Sequence, residues 1–157
     1  MLRLTKITDY GILLMAQLAS GEADELFSTS ALTDATKIPS TTVSKILQSL
    51  LNADLLISIR GVKGGYKLAR AADLISVRDI VCCLEGDIAL TDCSSSDALV
   101  CDQRGVCITH GNWKRINQAM HDVLANISLS DMINASFTPV IRLQRGLPIV
   151  ATSGESQ

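Results

Sequence analysis

Apolar residues recur at helical spacing through the first half of this chain. Over residues 8–20, Tyr10, Leu13, Leu14 and Leu18 fall on one face, and Ile12, Met15, Ala16 and Ala19 make the other side apolar as well. This predicts a helix capped by Thr8, ended by Gly21 and buried nearly all round. Residues 28–36 predict a short second helix with Leu32 and Ala35 inward. Lys37-Ile38-Pro39-Ser40 is then a turn, because Pro39 bars the residue before it from helical angles. Ser40 is placed to cap a third helix reaching Asn52. Its apolar positions Val43, Ile46, Leu47, Leu50 and Leu51 follow i, i+3, i+4, i+7, i+8 at every step, while Thr41, Ser44, Lys45 and Gln48 occupy the opposite face.

Residues 55–60 and 66–70 read as two strands. Gly61-Val62-Lys63-Gly64-Gly65 turns between them, with glycines where positive φ is expected. Ser76-Val77-Arg78-Asp79 matches a capping box with Asp in the place of Glu. It opens a helix with Val77, Ile80, Val81 and Leu84 inward, closed by Gly86. Residues 87–111 are a long polar loop, of the length that is functional or disordered. From Trp113 the apolar positions Trp113, Ile116, Met120, Val123 and Ile127 are spaced 3, 4, 3, 4. That is a heptad seam too short for a free-standing coiled coil, and it predicts a helix crossing its partner in a homodimer. Beyond Phe137 there are two prolines and no period, which predicts a mobile tail.

Helix, short helix, turn, amphipathic helix and glycine-rich basic hairpin make a winged helix-turn-helix. The expected fold is mainly α with a small β-hairpin wing. The expected division is a winged helix-turn-helix DNA-binding domain at 1–86, a cysteine-rich loop at 87–111, a dimerisation helix at 112–136 and a tail at 137–157.

Composition refines this. The 157 residues are 47% apolar, enough for one domain with a core and an appendage. No apolar run reaches the roughly 18 residues that span a bilayer, and the N-terminus lacks the apolar region of a signal peptide. The expected location is cytoplasmic, where thiols stay reduced. The net charge of −2 conceals an asymmetry. Between Lys37 and Arg70 there are six bases and one acid; between Glu85 and Asp102 there are five acids and no base. The basic stretch is a candidate phosphate-contacting surface. On it, Ser40, Thr41, Thr42, Ser44, Lys45 and Gln48 can reach base edges or phosphates. Arg60 and Lys63 can hold phosphates or enter a minor groove, and Gly64 and Gly65 let the wing backbone come close.

Cys93, Cys101 and Cys107 lie in the polar loop with His110 after them, as C-x7-C-x5-C-x2-H. Soft thiolates gathered in one loop suit an iron–sulfur cluster. Structural zinc is a rival, although the tight C-x2–4-C knuckle common in such sites is absent. A thiol–disulfide switch is a third reading. His110 is either a fourth ligand or a solvated loop histidine, and His121 is structural or at the surface. Cys82 and Cys83 are adjacent on a helix and point about 100° apart, so they read as packing residues rather than a chelating pair. Asp9, at the start of the first helix, reads as helix-start electrostatics. No nucleophile elbow, P-loop or triad pattern is present, so an enzyme is not expected.

Four segments taken in order resemble one family: L-T-K-I-T-D-Y-G at the start, I-P-S-T-T-V-S-K-I-L-Q-S-L, the wing R-G-V-K-G-G-Y-K-L-A, and the C-x7-C-x5-C loop. Over residues 1–133 the chain is similar to the Rrf-type (IscR/NsrR-like) family of bacterial iron–sulfur transcription regulators. Its T-D-Y start looks most like the branch that regulates the SUF iron–sulfur assembly operon. The resemblance implies a homodimer that binds a pseudo-palindromic operator on double-stranded DNA, acting as a repressor. It implies cluster ligation by Cys93, Cys101 and Cys107. The fourth ligand differs among branches. A histidine after the third cysteine completes a 2Fe–2S site and maps onto His110. An aspartate near the N-terminus, donated by the other subunit, completes a 4Fe–4S site and maps onto Asp9. Both candidates are present, and the 2Fe–2S form is favoured. The first spacing, seven residues rather than five, departs from the family's common pattern.

Overall fold

Leu14, Met15, Leu32, Val43, Ile46, Leu47 and Leu50 are closed off from water, and all seven come from the three N-terminal helices. The computed structural model describes residues 3–22, 24–94 and 106–139. The helices are α1 (Lys6–Ala19), α2 (Thr29–Thr36) and α3 (Ser40–Asn52). A hairpin of β1 (Leu56–Ile59) and β2 (Gly65–Leu68) follows, then α4 (Val77–Glu85), α5 (His110–Ala125) and α6 (Leu129–Ile133). Leu18, Ile38, Leu55, Leu56, Ile75, Ile80 and Leu129 complete the core, so it draws on the hairpin, α4 and α6 as well.

Helix α1 begins earlier than its apolar pattern predicts. Thr5, in extended conformation, is the N-cap and accepts from the Thr8 backbone N–H. Thr8 is instead a buried helical residue whose hydroxyl donates to the Glu85 carboxylate. Nor is α1 buried all round: Ile7 and Leu13 are 42% and 46% exposed. In α2 Ser28, expected as the first helical residue, is instead the N-cap, its side chain accepting from Ala31 N–H, and Leu32 is buried. Ala35 faces solvent, and the turn residue Ile38 supplies the second buried position. Lys37 ends α2 at φ 60, the left-handed conformation that lets the chain reverse.

Ser40 is the first residue of α3 rather than its cap. The N-cap position is held by Pro39, with no side-chain capping bond, and the Pro39 carbonyl accepts from Thr42 and Val43. Val43, Ile46, Leu47 and Leu50 are buried, as the spacing predicts.

The hairpin is antiparallel, with Leu56 opposite Leu68 and Ile59 opposite Gly65. Phe27 bridges the far edge of β2 through two backbone bonds with Tyr66, at 3.0 and 2.9 Å. Only Gly61 among the turn glycines has positive φ. Gly64 and Gly65 serve close packing instead. A Cβ on Gly64 would lie 2.3 Å from the Ile59 carbonyl oxygen, and one on Gly65 would lie 2.7 Å from that of Phe27.

The Ser76–Asp79 capping box forms in both directions and starts α4. Within the loop expected at 87–111, the described residues include a 3-10 turn at Asp92–Ser94, and His110 is already helical. The helix expected over 112–136 is interrupted, with α5 ending at Ala125. A second capping box, Ser128 with Asp131, starts α6. The break is pinned to the core by Val77 N–H donating to Ile127 O and Leu129 N–H donating to Ile75 O, both at 2.8 Å. A continuous helix would lose these bonds and lift Leu129 from the core. The predicted tail lies outside the described residues from 140 onward.

Candidate functional site

The polar face of α3 is assembled as expected. Ser40, Thr41, Ser44, Lys45 and Gln48 are exposed, and Thr42 is half-buried. The Ser44 hydroxyl back-bonds to Ser40 O at 2.9 Å, and the Gln48 amide donates to Asn52 Oδ1 at 2.9 Å. Arg60 and Lys63 are exposed on the wing, with Val62 fully exposed between them.

The basic count overstates the free charge. Lys67 pairs with Asp24, and Arg70 donates to Asp79 at 3.0 Å. Lys37, Lys45, Arg60 and Lys63 form no ion pair among the described residues. These four unpaired cations, on the helix-turn-helix and at the wing tip, are available to phosphates.

The cysteine centre is described in part. Cys101 and the side chain of Cys93 lie outside the described residues, although the Cys93 backbone belongs to the Asp92–Ser94 turn. Cys107 is half-buried and free. Its Sγ lies 3.3 Å from the Thr109 hydroxyl. That contact, helped by the Thr109 and His110 backbone N–H groups, holds the thiol below its ordinary value. A thiol eased toward thiolate is a better metal ligand and a better nucleophile. His110 opens α5, and its Nδ1 is buried with no hydrogen-bond partner among the described residues. A buried ring nitrogen left unsatisfied is costly, and a metal ligand position would account for it. Thus the described donors fit the chemistry of a cluster site. Among the described residues no three His, Cys, Asp or Glu side chains converge on one point. Asp9 is exposed on the first turn of α1.

Cys82 and Cys83 behave differently from Cys107. Burial raises both thiols, so they are poorer nucleophiles. Cys83 Sγ donates to Ser49 O at 3.3 Å, joining α4 to α3. The His121 ring is likewise structural, with Nε2 2.9 Å from Ile88 O.

One residue went unnoticed in the sequence. Glu85, the last of α4, accepts from Thr5 N–H at 2.7 Å and from the Thr8 hydroxyl. Chiefly through Thr8, its carboxyl is held below the ordinary glutamate range. It clamps the start of α1 to the point where the chain leaves α4 for the cysteines. The two partners lie 80 and 77 residues away, so no local pattern could reveal them.

The profile of Rrf2, described as an iron-dependent transcriptional regulator family, matches residues 4–135. The chain belongs to the Rrf2 family. It is therefore a DNA-binding transcriptional regulator, not an enzyme. It is 26% identical to the regulator IscR of Erwinia tasmaniensis, over 85% of this chain and 79% of that protein. It is also 26% identical to the regulator NsrR of Bacillus licheniformis, over 84% of this chain and 92% of that one. The solved structure of CymR, the global cysteine regulator of B. subtilis, superposes with a TM-score of 0.67 at 28% identity, covering 85% of this chain and 97% of that one. The mainly helical winged fold of this Rrf2 chain is thus shared. Among its described residues no helix is long and apolar enough to cross a membrane.

Proposed function

We propose that this chain is a homodimeric repressor that senses iron–sulfur status, or redox and nitric oxide stress, through a cluster held by Cys93, Cys101 and Cys107. His110 would be the fourth ligand of a 2Fe–2S form, and Asp9 of a second copy that of a 4Fe–4S form. The observation that carries the reading is the pairing, three residues apart, of a thiol eased toward thiolate at Cys107 with a buried His110 Nδ1 that has no partner among the described residues. Likeness to IscR and NsrR supports it, and the T-D-Y start points to control of SUF-type assembly genes.

Dimerisation is supported by apolar side chains left only half-covered in the single chain. Trp113 and Ile116 on α5, with Ile7 and Leu13 on α1, are all about 40–50% exposed. In the dimer each α3 would enter the major groove of one half-site of a pseudo-palindromic operator. Lys45, Arg60 and Lys63 would hold phosphates, while Ser44 and Gln48 read base edges.

Bound at these residues, a cluster supplies a redox-labile cross-link within the cysteine segment. The chain's own residues carry the consequence to DNA. The segment is strung between α4 and α5. Helix α4 is tied to α3 through Cys83 and Ser49, and to α1 through Glu85 and Thr8. A change of order in the segment therefore shifts the population of head orientations, as far as the two states differ in affinity.

The test is anaerobic purification followed by absorbance, EPR and iron and acid-labile sulfide analysis. Visible absorbance with near-stoichiometric iron and sulfide is expected. Colourless protein carrying tight zinc overturns the cluster reading. A second reading, a thiol switch, rests on the lowered thiol of Cys107 and on the likeness to the cysteine regulator CymR. It requires metal-free protein whose operator binding is lost with diamide and restored by dithiothreitol.

A further inference from the structure

The wing tip carries an apolar side chain that the fold does not use. Gly64 N–H donates to Gly61 O at 2.9 Å, which closes a tight turn with Val62 and Lys63 at its two corners. Neither corner has positive φ, so the turn demands no special residue there. It gains nothing from valine either, since turn corners favour proline, aspartate, asparagine and serine.

Val62 is 108% exposed, so nothing in the fold covers it. Lone apolar residues at a surface are ordinary, and exposure by itself decides nothing. What marks Val62 is its place. Ile108, the other large apolar side chain nearly as bare among the described residues at 96%, stands in the cysteine segment. Val62 stands at the tip of the hairpin between Arg60 and Lys63, two exposed cations that form no ion pair among the described residues. The mount beneath it is tightly packed. A Cβ on Gly64 would lie 2.3 Å from Ile59 O, and Phe27 pairs with β2 along its far edge. A firm cationic projection ending in a bare aliphatic group fits a surface that is anionic at its rims and less polar at its floor. A groove of duplex DNA is such a surface, with phosphates on the rims and base edges below.

We infer that Val62 is a specificity-determining contact of the wing: it enters the minor groove beside the sequence met by α3 and selects A·T pairs there. The inference rests on the proposed placement of this head on DNA. In the minor groove A·T and T·A pairs present acceptors only, whereas G·C adds the guanine N2 amine. Val62 has no polar atom. Over G·C it covers that donor without bonding it, which is costly, and the protruding amine holds the two methyl groups off the floor. Over A·T the methyl groups pack closely while Arg60 and Lys63 hold the rims.

The test begins with the full-length chain selecting sites from a random-sequence duplex library. Affinities for selected duplexes are then measured by fluorescence anisotropy as a function of salt. Wild type should enrich A·T pairs beside the bases read in the major groove. Replacing such a pair with G·C should weaken wild-type binding about fivefold to tenfold, within the range for burying one valine. Inosine·C at the same position keeps the major-groove pattern of G·C but lacks the N2 amine, and should restore binding. Val62→Ser should bind the A·T and G·C duplexes alike, with the salt slope and thermal midpoint of wild type. Val62→Ile should keep the preference. Lys63→Ala, by contrast, should lower the salt slope by about one and leave the preference in place. The inference is overturned if Val62→Ser retains the wild-type preference, or if inosine·C binds no better than G·C. A chain that enriches no site defeats the proposed DNA placement together with the inference. A chain whose selected sites are indifferent to Val62 defeats the inference alone.

Discussion

Helices α3 and α5 carry comparable apolar patterns and come to different ends. Of the 13 residues of α3, four apolar ones are buried; of the 16 of α5, only Asn117 is. The first helix finds its apolar partners within its own chain. The second presents Trp113 and Ile116 to water. An amphipathic period therefore says that a face will be covered, not what will cover it. One helix belongs to a domain core; the other, on the proposed function, belongs to an assembly.

Substitutions should separate the two cases. Leu47→Ala, at a fully buried site on α3, should cost about 2–5 kcal/mol of unfolding free energy in urea titrations. On α5, Ile116→Glu should keep the helical far-UV spectrum. It should convert the dimer to monomer by sedimentation, and lower operator affinity about tenfold or more as the second half-site contact is lost. A variant that unfolds, or that stays dimeric, breaks the comparison.

Smaller effects sharpen it. Lys45→Ala should weaken operator binding by about 1–3 kcal/mol and reduce the slope against log salt by about one, with stability unchanged. Thr8→Val removes the hydroxyl that Glu85 accepts from and should cost about 1–2 kcal/mol. The Glu85 carboxyl sits below its ordinary value of 4.5 in the fold, so its contribution is full above that pH and falls away as pH drops through the lower folded value. The stability gap between wild type and Glu85→Gln should accordingly be open at pH 6 and close in acid. A gap that widens in acid would contradict the assignment. Last, Ser128→Ala should cost about 1 kcal/mol by uncapping α6.

Much of the winged head was legible because its signals are local. The α3 spacing, the Ser76–Asp79 box and the Pro39 turn each act within a few residues. Where a local rule failed, a distant group had intervened. Thr8 could not cap α1 because Glu85 takes its hydroxyl. Gly64 and Gly65 answer to the carbonyls of Ile59 and Phe27 rather than to φ. The break after α5 also has a local signal. Ser128-Leu129-Ser130-Asp131 repeats the spacing of Ser76-Val77-Arg78-Asp79, but the heptad seam drew the helix straight through it. At the candidate site, residue types and spacing were plain. The ion pairs that silence Lys67 and Arg70 were not, because one of them joins residues 43 apart.

The central claim is that the cysteine segment sets the DNA-bound population. It is tested most directly by measuring anaerobic operator affinity, by fluorescence anisotropy, for wild type and for the triple variant Cys93→Ser, Cys101→Ser, Cys107→Ser. The variant should lose the visible absorbance and bind the operator with clearly altered affinity. Unchanged colour and unchanged affinity in the variant would contradict it.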